Sequence, residues 1–415
     1  MSWATAPLRK LITPNNKRGR PDLPLLSVVR ERGVIKRNLD KSDNHNVIPE
    51  DLSNYKVVRK GQFVINKMKA WQGSCGVSHF DGIVSPAYYV FDLGIDNPQF
   101  FNYAIRSRAF VDEFGRISSG IRVDQWDLSL QKLKYIHFPT PSRDEQDKVV
   151  RYLDWKVSQI NKLINAKRRQ IALLQEQKRI VVNKAVTGGG VGWRQLRIKV
   201  IAKTLRGKFS HRPRNDPAFY DGNYPFIQTG DVARAGKYIC EYKQTLNEKG
   251  FAVSKQFPKG TLTMTIAANI GDVAILNFDA CFPDSIIGLV PHEEIDLDYL
   301  YYALFNMKSD FLREAPVNTQ GNLNVERVGA MTICAPYVEQ QREIVNEIEK
   351  NVGRIDIIVA KIQDEIALLQ EYRTRLISDT VTGKLDVRGV AVPEYEAVED
   401  VSMVEEVGEA EEVEI

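Results

Sequence analysis

A chain of 415 residues is too long for one ordinary hydrophobic core, so two or three domains are expected. Hydrophobic residues at 43% and charged residues at 27% exclude a disordered or fibrous chain, and no apolar run approaches the roughly 20 residues that cross a bilayer. The net charge is +4, yet ten acidic residues and no Lys or Arg follow Arg388, so residues 1–388 exceed that value by ten charges, a balance that favours an anionic partner such as nucleic acid.

The first twenty residues, MSWATAPLRKLITPNNKRGR, have no apolar signal-peptide core, and the chain reads as cytoplasmic. Residues 1–142 form a first globular segment of short apolar runs punctuated by Gly and Pro. Leu23-Pro24-Leu25-Leu26 is one such run. Val58-Arg59-Lys60-Gly61-Gln62-Phe63-Val64-Ile65 is a turn feeding a short strand, and Gly120-Ile121 introduces a stretch that ends in the strand-like Tyr135-Ile136-His137-Phe138. After Pro141 the period changes. Val150, Leu153, Val157, Ile160, Ile164, Lys167, Ile171, Leu174, Lys178 and Val181 recur at spacings of three and four, so residues 143–187 read as one long helix with a coiled-coil seam, ending at Val186-Thr187-Gly188.

Residues 188–336 repeat the outline of the first segment. Trp193, Ile198 and Ile201 answer Trp3, Leu8 and Leu11, and Tyr224-Pro225-Phe226-Ile227 answers Leu23-Pro24-Leu25-Leu26. Phe257-Pro258-Lys259-Gly260-Thr261-Leu262-Thr263-Met264 is the second turn and strand, residues 298–311 read as helical, and Gly321-Asn322 leads to Met331-Thr332-Ile333-Cys334. The correspondence is closest in residues 337–380, a second long helix offset by 195 positions from the first. Ile171-Ala172-Leu173-Leu174-Gln175-Glu176 returns as Ile366-Ala367-Leu368-Leu369-Gln370-Glu371, and Pro141, Gln146 and Val150 return as Pro336, Gln341 and Val345. Its seam is Val345, Ile348, Val352, Ile355, Val359, Ile362, Ile366, Leu369, Arg373 and Leu376. The first helix is strongly basic between Trp155 and Ala185 and the second slightly acidic, so the simplest pairing is of one seam with the other inside the same chain, against a homodimeric pairing of each with its own copy. Residues 381–415 read as a flexible acidic tail.

Catalytic patterns are missing. No G-x-x-x-x-G-K-[ST], H-E-x-x-H or G-x-S-x-G string occurs. Asp96-Asn97-Pro98-Gln99-Phe100 and Asp216-Pro217-Ala218-Phe219-Tyr220 approach a methyltransferase turn but lack its second proline, and Glu176-x-Lys178 lies inside the helix register. His292-Glu293-Glu294 is the nearest approach to a metal cluster and reads as a solvated loop. Cys75, Cys240, Cys281 and Cys334 form no C-x-x-C pair and no zinc-ligand spacing with the five histidines, so neither a disulfide framework nor a structural metal is expected. Duplicated domains on long helices without catalytic motifs indicate a binding protein.

The layout resembles the specificity subunit of type I restriction-modification systems over about residues 1–388. The resemblance is carried by Pro141 to Gln146, Pro336 to Gln341, the paired I-A-L-L-Q-E segments, Ile227-Gln228-Thr229-Gly230-Asp231-Val232 and Thr319-Gln320-Gly321-Asn322. It implies an α+β chain with two mixed α/β target recognition domains separated by two long antiparallel coiled-coil helices, in an internal pseudo-two-fold duplication. Each domain would read one half of a bipartite, asymmetric double-stranded DNA target. Two modification (M) subunits would bind the chain, with restriction (R) subunits joining for cleavage and no membrane involved. This chain would be non-catalytic and bind no cofactor directly, with S-adenosylmethionine, ATP and Mg on the partner subunits. The acidic tail departs from the minimal pattern.

Readers on one face of B-DNA stand roughly 34–36 Å apart, or a multiple, and base edges are read by donors and acceptors on loops. In the first domain the candidates are Lys67, Lys69, Trp71, Gln72, Ser74, Arg116, Ser118, Ser119 and Arg122. In the second they are Lys208, His211, Arg212, Thr229, Asn269, Thr319, Gln320 and Asn322. The competing reading is a coiled-coil assembly scaffold with two protein-binding domains; a solitary nuclease or methyltransferase ranks third. Arg122→Ala or Gln320→Ala is expected to weaken binding to cognate DNA by about 1–3 kcal/mol while sparing random DNA. A uniform loss across sequences in a filter-binding or fluorescence titration assigns both residues to the phosphate backbone.

Overall fold

The computed structural model describes residues 3–30, 32–37, 51–120, 126–189, 192–315 and 323–400. The chain divides into two compact units, Met1–Gln170 with Lys361–Ile415, and Ile171–Ala360. The division cuts both long helices, so each unit holds one globular domain and a part of each helix.

The first unit is built on an antiparallel sheet of β1 (Ile12–Pro14), β2 (Phe63–Asn66), β3 (Cys75–Val77) and β4 (Tyr88–Leu93), in the order β1-β4-β2-β3. Every residue of β2 is buried, because the strand is covered on both faces and reads as a continuous apolar run rather than an alternating one. Phe63 and Ile65 meet Phe100, Phe101, Ala104 and Ile105 of α1 (Pro98–Ile105), while Val64 packs with Val28, Val34 and Val90. Helix α2 (Arg108–Ile117) adds Phe110 and Phe114 to the first of these cores.

The second unit carries β5 (Ala202–Arg206), β6 (Tyr238–Ile239), β7 (Leu262–Thr265), β8 (Val273–Leu276) and β9 (Ile286–Pro291), in the order β5-β9-β7-β8-β6. Its first four strands repeat the topology of the first unit, and β6 adds a parallel edge on β8. The turns before β2 and β7 correspond in detail. Gly61 and Gly260 sit at φ +87° and +86°, where a Cβ would be strained, and each N–H donates across its hairpin, to the Ser78 and Leu276 carbonyls at 2.8 Å. The expected late strands are present, His137–Pro139 on Thr5–Pro7 and Thr332–Ala335 on Arg194–Arg197.

The two long helices are α3 (Arg143–Val186) and α5 (Val338–Val381), each of 44 residues, and α4 (Leu297–Asn306) lies between them in sequence. One buried glutamine fastens each long helix to its globular domain. Gln146 is 2% exposed; its Nε2 donates to the Pro141 carbonyl at 2.9 Å and its Oε1 accepts the Asn97 N–H at 3.1 Å, at the N-cap of α1. Gln341 is 0% exposed and repeats the device, donating to the Pro336 carbonyl at 2.8 Å and accepting the Asp296 N–H at 2.9 Å, at the N-cap of α4. A side-chain amide has the donor and acceptor needed to satisfy both buried backbone groups at once.

The seams run antiparallel. In the first unit Arg373 donates to Asn161 at 2.6 Å and Lys167 pairs with Glu365; in the second Lys178 pairs with Asp356 at 2.8 Å, so residue numbers rise on α3 as they fall on α5. The polar members of the sequence seam are therefore the residues that pair across it. Val150, Leu153, Ile160, Ile164 and Leu376 are buried in the first unit's core, and Val345, Ile348 and Val352 in the second's. Ile355, Val359 and Ile362 are buried as well. The expected register slips at the end of α3. Val181 is only half-buried, whereas Val182 and Val186 enter the core with Ile198, because a helix of 3.6 residues per turn drifts from a 3.5 repeat and here meets a globular domain. Val157, Ile171, Leu174, Ile366 and Leu369 are also half-buried.

The tail, expected to be flexible, is packed as far as Asp400. Val387 is buried in the first unit's core and Val392 lies against it. Gln341→Ala leaves a buried N–H and a carbonyl unpaired and is expected to cost about 1–3 kcal/mol in chemical denaturation, against less than about 0.5 kcal/mol for the exposed neighbour Gln340→Ala. Equal losses at the two positions contradict the fastening role.

Candidate nucleic-acid interface

In the first unit the loop after β2 carries most of the sequence candidates, and Asn66 shapes it by accepting the backbone N–H groups of Met68 and Lys69 at 2.9 and 3.3 Å. Lys67 joins this loop to Asp127 and Leu128. Its ammonium pairs with Asp127 at 2.7 Å, which raises its pKa, and its carbonyl accepts the Leu128 N–H. Trp71 lies 5.2 Å from Trp126, and its indole N–H is buried without a hydrogen-bond partner. Ser118 and Ser119 pair with Leu128 and Asp127 as two short antiparallel strands. The Ser118 hydroxyl is committed to the Phe114 carbonyl at 2.7 Å, whereas Ser119 is exposed. Arg116 is exposed and pairs with Glu113 one helical turn back. Lys69 is half-buried on the loop. Arg122 lies outside the described residues.

Ser74 is a correction. It is 3% exposed where the chain enters β3, with its N–H on the Lys69 carbonyl and its own carbonyl accepting from Asn66, so it has no surface to present to DNA. Gln72 faces a cleft of about 380 Å³ that is also lined by Arg30, Asn102, Arg106, Arg108 and Arg373. The arginines of this cleft escaped sequence reasoning because they come from separate segments.

In the second unit the candidates divide. His211 stacks on Phe219 with ring centres 3.8 Å apart and meets Asp216 at 3.1 Å. Arg212 donates to the Phe209 and His211 carbonyls at 2.7 Å, so both side chains shape their loop. Lys208 and Asn269 are exposed, and neither lines the cleft around Gln228 and Gln244. Thr229 is half-buried at the first position of the helix Thr229–Arg234, beside that cleft. Thr319, Gln320 and Asn322 lie outside the described residues.

The cleft itself, about 400 Å³, brings together Arg214, Asn215, Gln228, Arg234, Lys243 and Gln244, none of which was singled out as a reader. Gln228 Nε2 donates to Gln244 Oε1 at 2.9 Å. Buried Asp231 accepts the Gln228 N–H at 2.9 Å and the Arg234 guanidinium at 2.6 Å, which holds both ends of the short helix. A Cβ at Gly230 would meet Arg234 at 3.1 Å, so glycine lets the guanidinium lie close to the turn. Paired amides beside a guanidinium offer the donors and acceptors that read adenine and guanine edges in the major groove. The Ile227–Val232 motif was the signal for Gln228; Arg214, Lys243 and Gln244 had none.

The two strings that approach a methyltransferase turn are helix caps. Asn97 accepts the N–H groups of Gln99 and Phe100, and Asp216 that of Ala218. Among the described residues no group of His, Cys, Asp and Glu is placed to hold a metal, and no helix is long and apolar enough to cross a membrane.

Residues 191–368 match the type I restriction modification DNA specificity domain. A type I restriction enzyme specificity subunit of Escherichia coli is 23% identical over 273 residues, 61% of this chain and 65% of that subunit, so the chain spans just under two thirds of that relative. A type I specificity subunit of Methanocaldococcus jannaschii is 29% identical over 132 residues, 30% of each chain. Among solved structures, a chain from work on complex assembly and conformational transition of the type I R-M system superposes with a TM-score of 0.65 at 15% identity, covering 92% of this chain and 98% of that one, a likeness of fold. Residues 191–368 are thus similar to the type I restriction modification DNA specificity domain, and the duplicated domains and paired helices give the chain a fold like that of this solved structure.

Proposed function

We propose that this chain is the non-catalytic, DNA-reading subunit of a type I restriction-modification complex, with each globular domain contacting one half of a bipartite, asymmetric duplex target. One observation carries the reading. The two domains share the strand order and the glutamine fastening, but they present different side chains, Lys67, Trp71 and Gln72 in one against Gln228, Arg234 and Gln244 in the other. Equal scaffolds with unequal readers call for two different half-sites. Helices of 44 residues are on the order of 65 Å long, enough to hold readers one or more turns of B-DNA apart.

The duplication also supports two modification subunits as partners. Leu173 and Leu368 occupy the same place in the repeated I-A-L-L-Q-E segment and are 72% and 64% exposed, so the chain offers one apolar contact twice. Restriction subunits would join this assembly, and S-adenosylmethionine, ATP and Mg would belong to the partners. If protein scaffolding were the whole function, DNA affinity would be weak and blind to sequence.

Gln228→Ala is expected to cost about 1–3 kcal/mol on cognate DNA and to relax specificity in one half-site only, whereas Lys243→Ala weakens all sequences alike and lowers the salt slope by about 1. Relaxation of both half-sites by Gln228→Ala contradicts the assignment. Methylation mapping of genomic DNA from cells that express this chain together with a type I modification subunit tests the whole reading. It is expected to find one split, non-palindromic motif, lost when the chain is deleted. A continuous or palindromic motif overturns it.

A further inference from the structure

The helix α3 carries a polar stripe that α5 does not. Ser158, Asn161, Asn165 and Arg168 lie at spacings of three and four on one face, and the first three are buried. The positions 195 residues later are Gly353, Asp356, Ala360 and Gln363, the last three of them exposed. The stripe on α3 is covered by the chain's own C-terminal segment, which runs over it without helix or strand structure.

The contacts are regular. The Ser158 hydroxyl donates to the Glu396 carbonyl and accepts the Val398 N–H, both at 2.8 Å. Asn161 and Asn165 donate to the carbonyls of Val398 and Glu399 at 2.9 and 2.8 Å. These bonds reach only the main chain, so they select an extended peptide and not its side chains. Asp400 is 1% exposed, its carboxylate held by Arg168 of α3 and, at 3.0 Å, by Arg373 of α5, while Glu394, Glu396 and Glu399 are exposed. A carboxylate taken out of water between two guanidinium groups is well compensated, whereas a neutral replacement leaves two partly buried cations facing each other.

We propose that this face of the helix pair is a peptide-binding groove that takes an extended segment ending in a buried carboxylate, and that residues 394–400 occupy it in cis as a detachable latch. Because Asp400 bonds both helices, the latch stiffens their pairing in this unit. Side-chain-to-main-chain bonds on an irregular segment open more readily than the helices beneath, so the latch is the first element of the unit to release.

The test uses three proteins: the full chain, the full chain with Asp400→Asn, and a chain ending at Pro393. Hydrogen exchange is expected to rise in residues 158–168 and 370–377 of both variants and to stay unchanged in residues 352–363. An amidated synthetic peptide of residues 389–400 should bind the shortened chain saturably and restore slow exchange, and the same peptide with Asp400→Asn should need at least tenfold higher concentration. The Asp400→Asn chain keeps every residue and so remains informative if the shortened one folds poorly. Unchanged exchange in both variants, or equal binding of the two peptides, overturns the proposal.

Discussion

An apolar edge running along a 44-residue helix is more than a small globular domain can cover, and two such edges in one chain are buried at least cost against each other. Apolar residues alone would allow the edges to slide. The polar positions within them remove that freedom, since Lys167, Lys178 and Arg373 find Glu365, Asp356 and Asn161 together in a single antiparallel alignment. Charges at a helix interface act mainly on register and partner choice, and here they choose the other half of the duplication.

The buried glutamines carry that alignment into the globular domains. Each spans the start of a long helix, the preceding proline carbonyl and the cap of a helix in the domain core, so rotation of the long helix relative to its domain would break several satisfied bonds at once. A loop anchored to such a frame inherits its position. The loop after β2 and the turn at Gln228–Asp231 are both shaped by short polar side chains bonding to nearby backbone, which leaves their outer side chains to vary. Those outer side chains can then differ between the halves without disturbing the fold.

The tail breaks the symmetry. Its stripe of Ser158, Asn161, Asn165 and Arg168 has no counterpart in the second helix, although the surrounding apolar residues match position by position. A feature present in one half of a duplication answers to something found only there, and in this chain that is the C-terminal segment and its buried Asp400.

From residues alone came the duplication, the two long helices, their mutual pairing and the lack of catalytic motifs, because periodicity and repeated strings are local properties written along the chain. The turns at Gly61 and Gly260 and the late strands were legible for the same reason. Tertiary structure decided what lies far apart in sequence: the cleft that gathers Arg214, Gln228, Arg234 and Gln244, the burial of Ser74, the diversion of His211 and Arg212 into their own loop, and the docking of a tail whose acidic composition read as flexible. Whether a polar side chain reads DNA or satisfies a neighbouring backbone group depends on which donors and acceptors folding brings within about 3 Å, and that distance is set by the assembled chain.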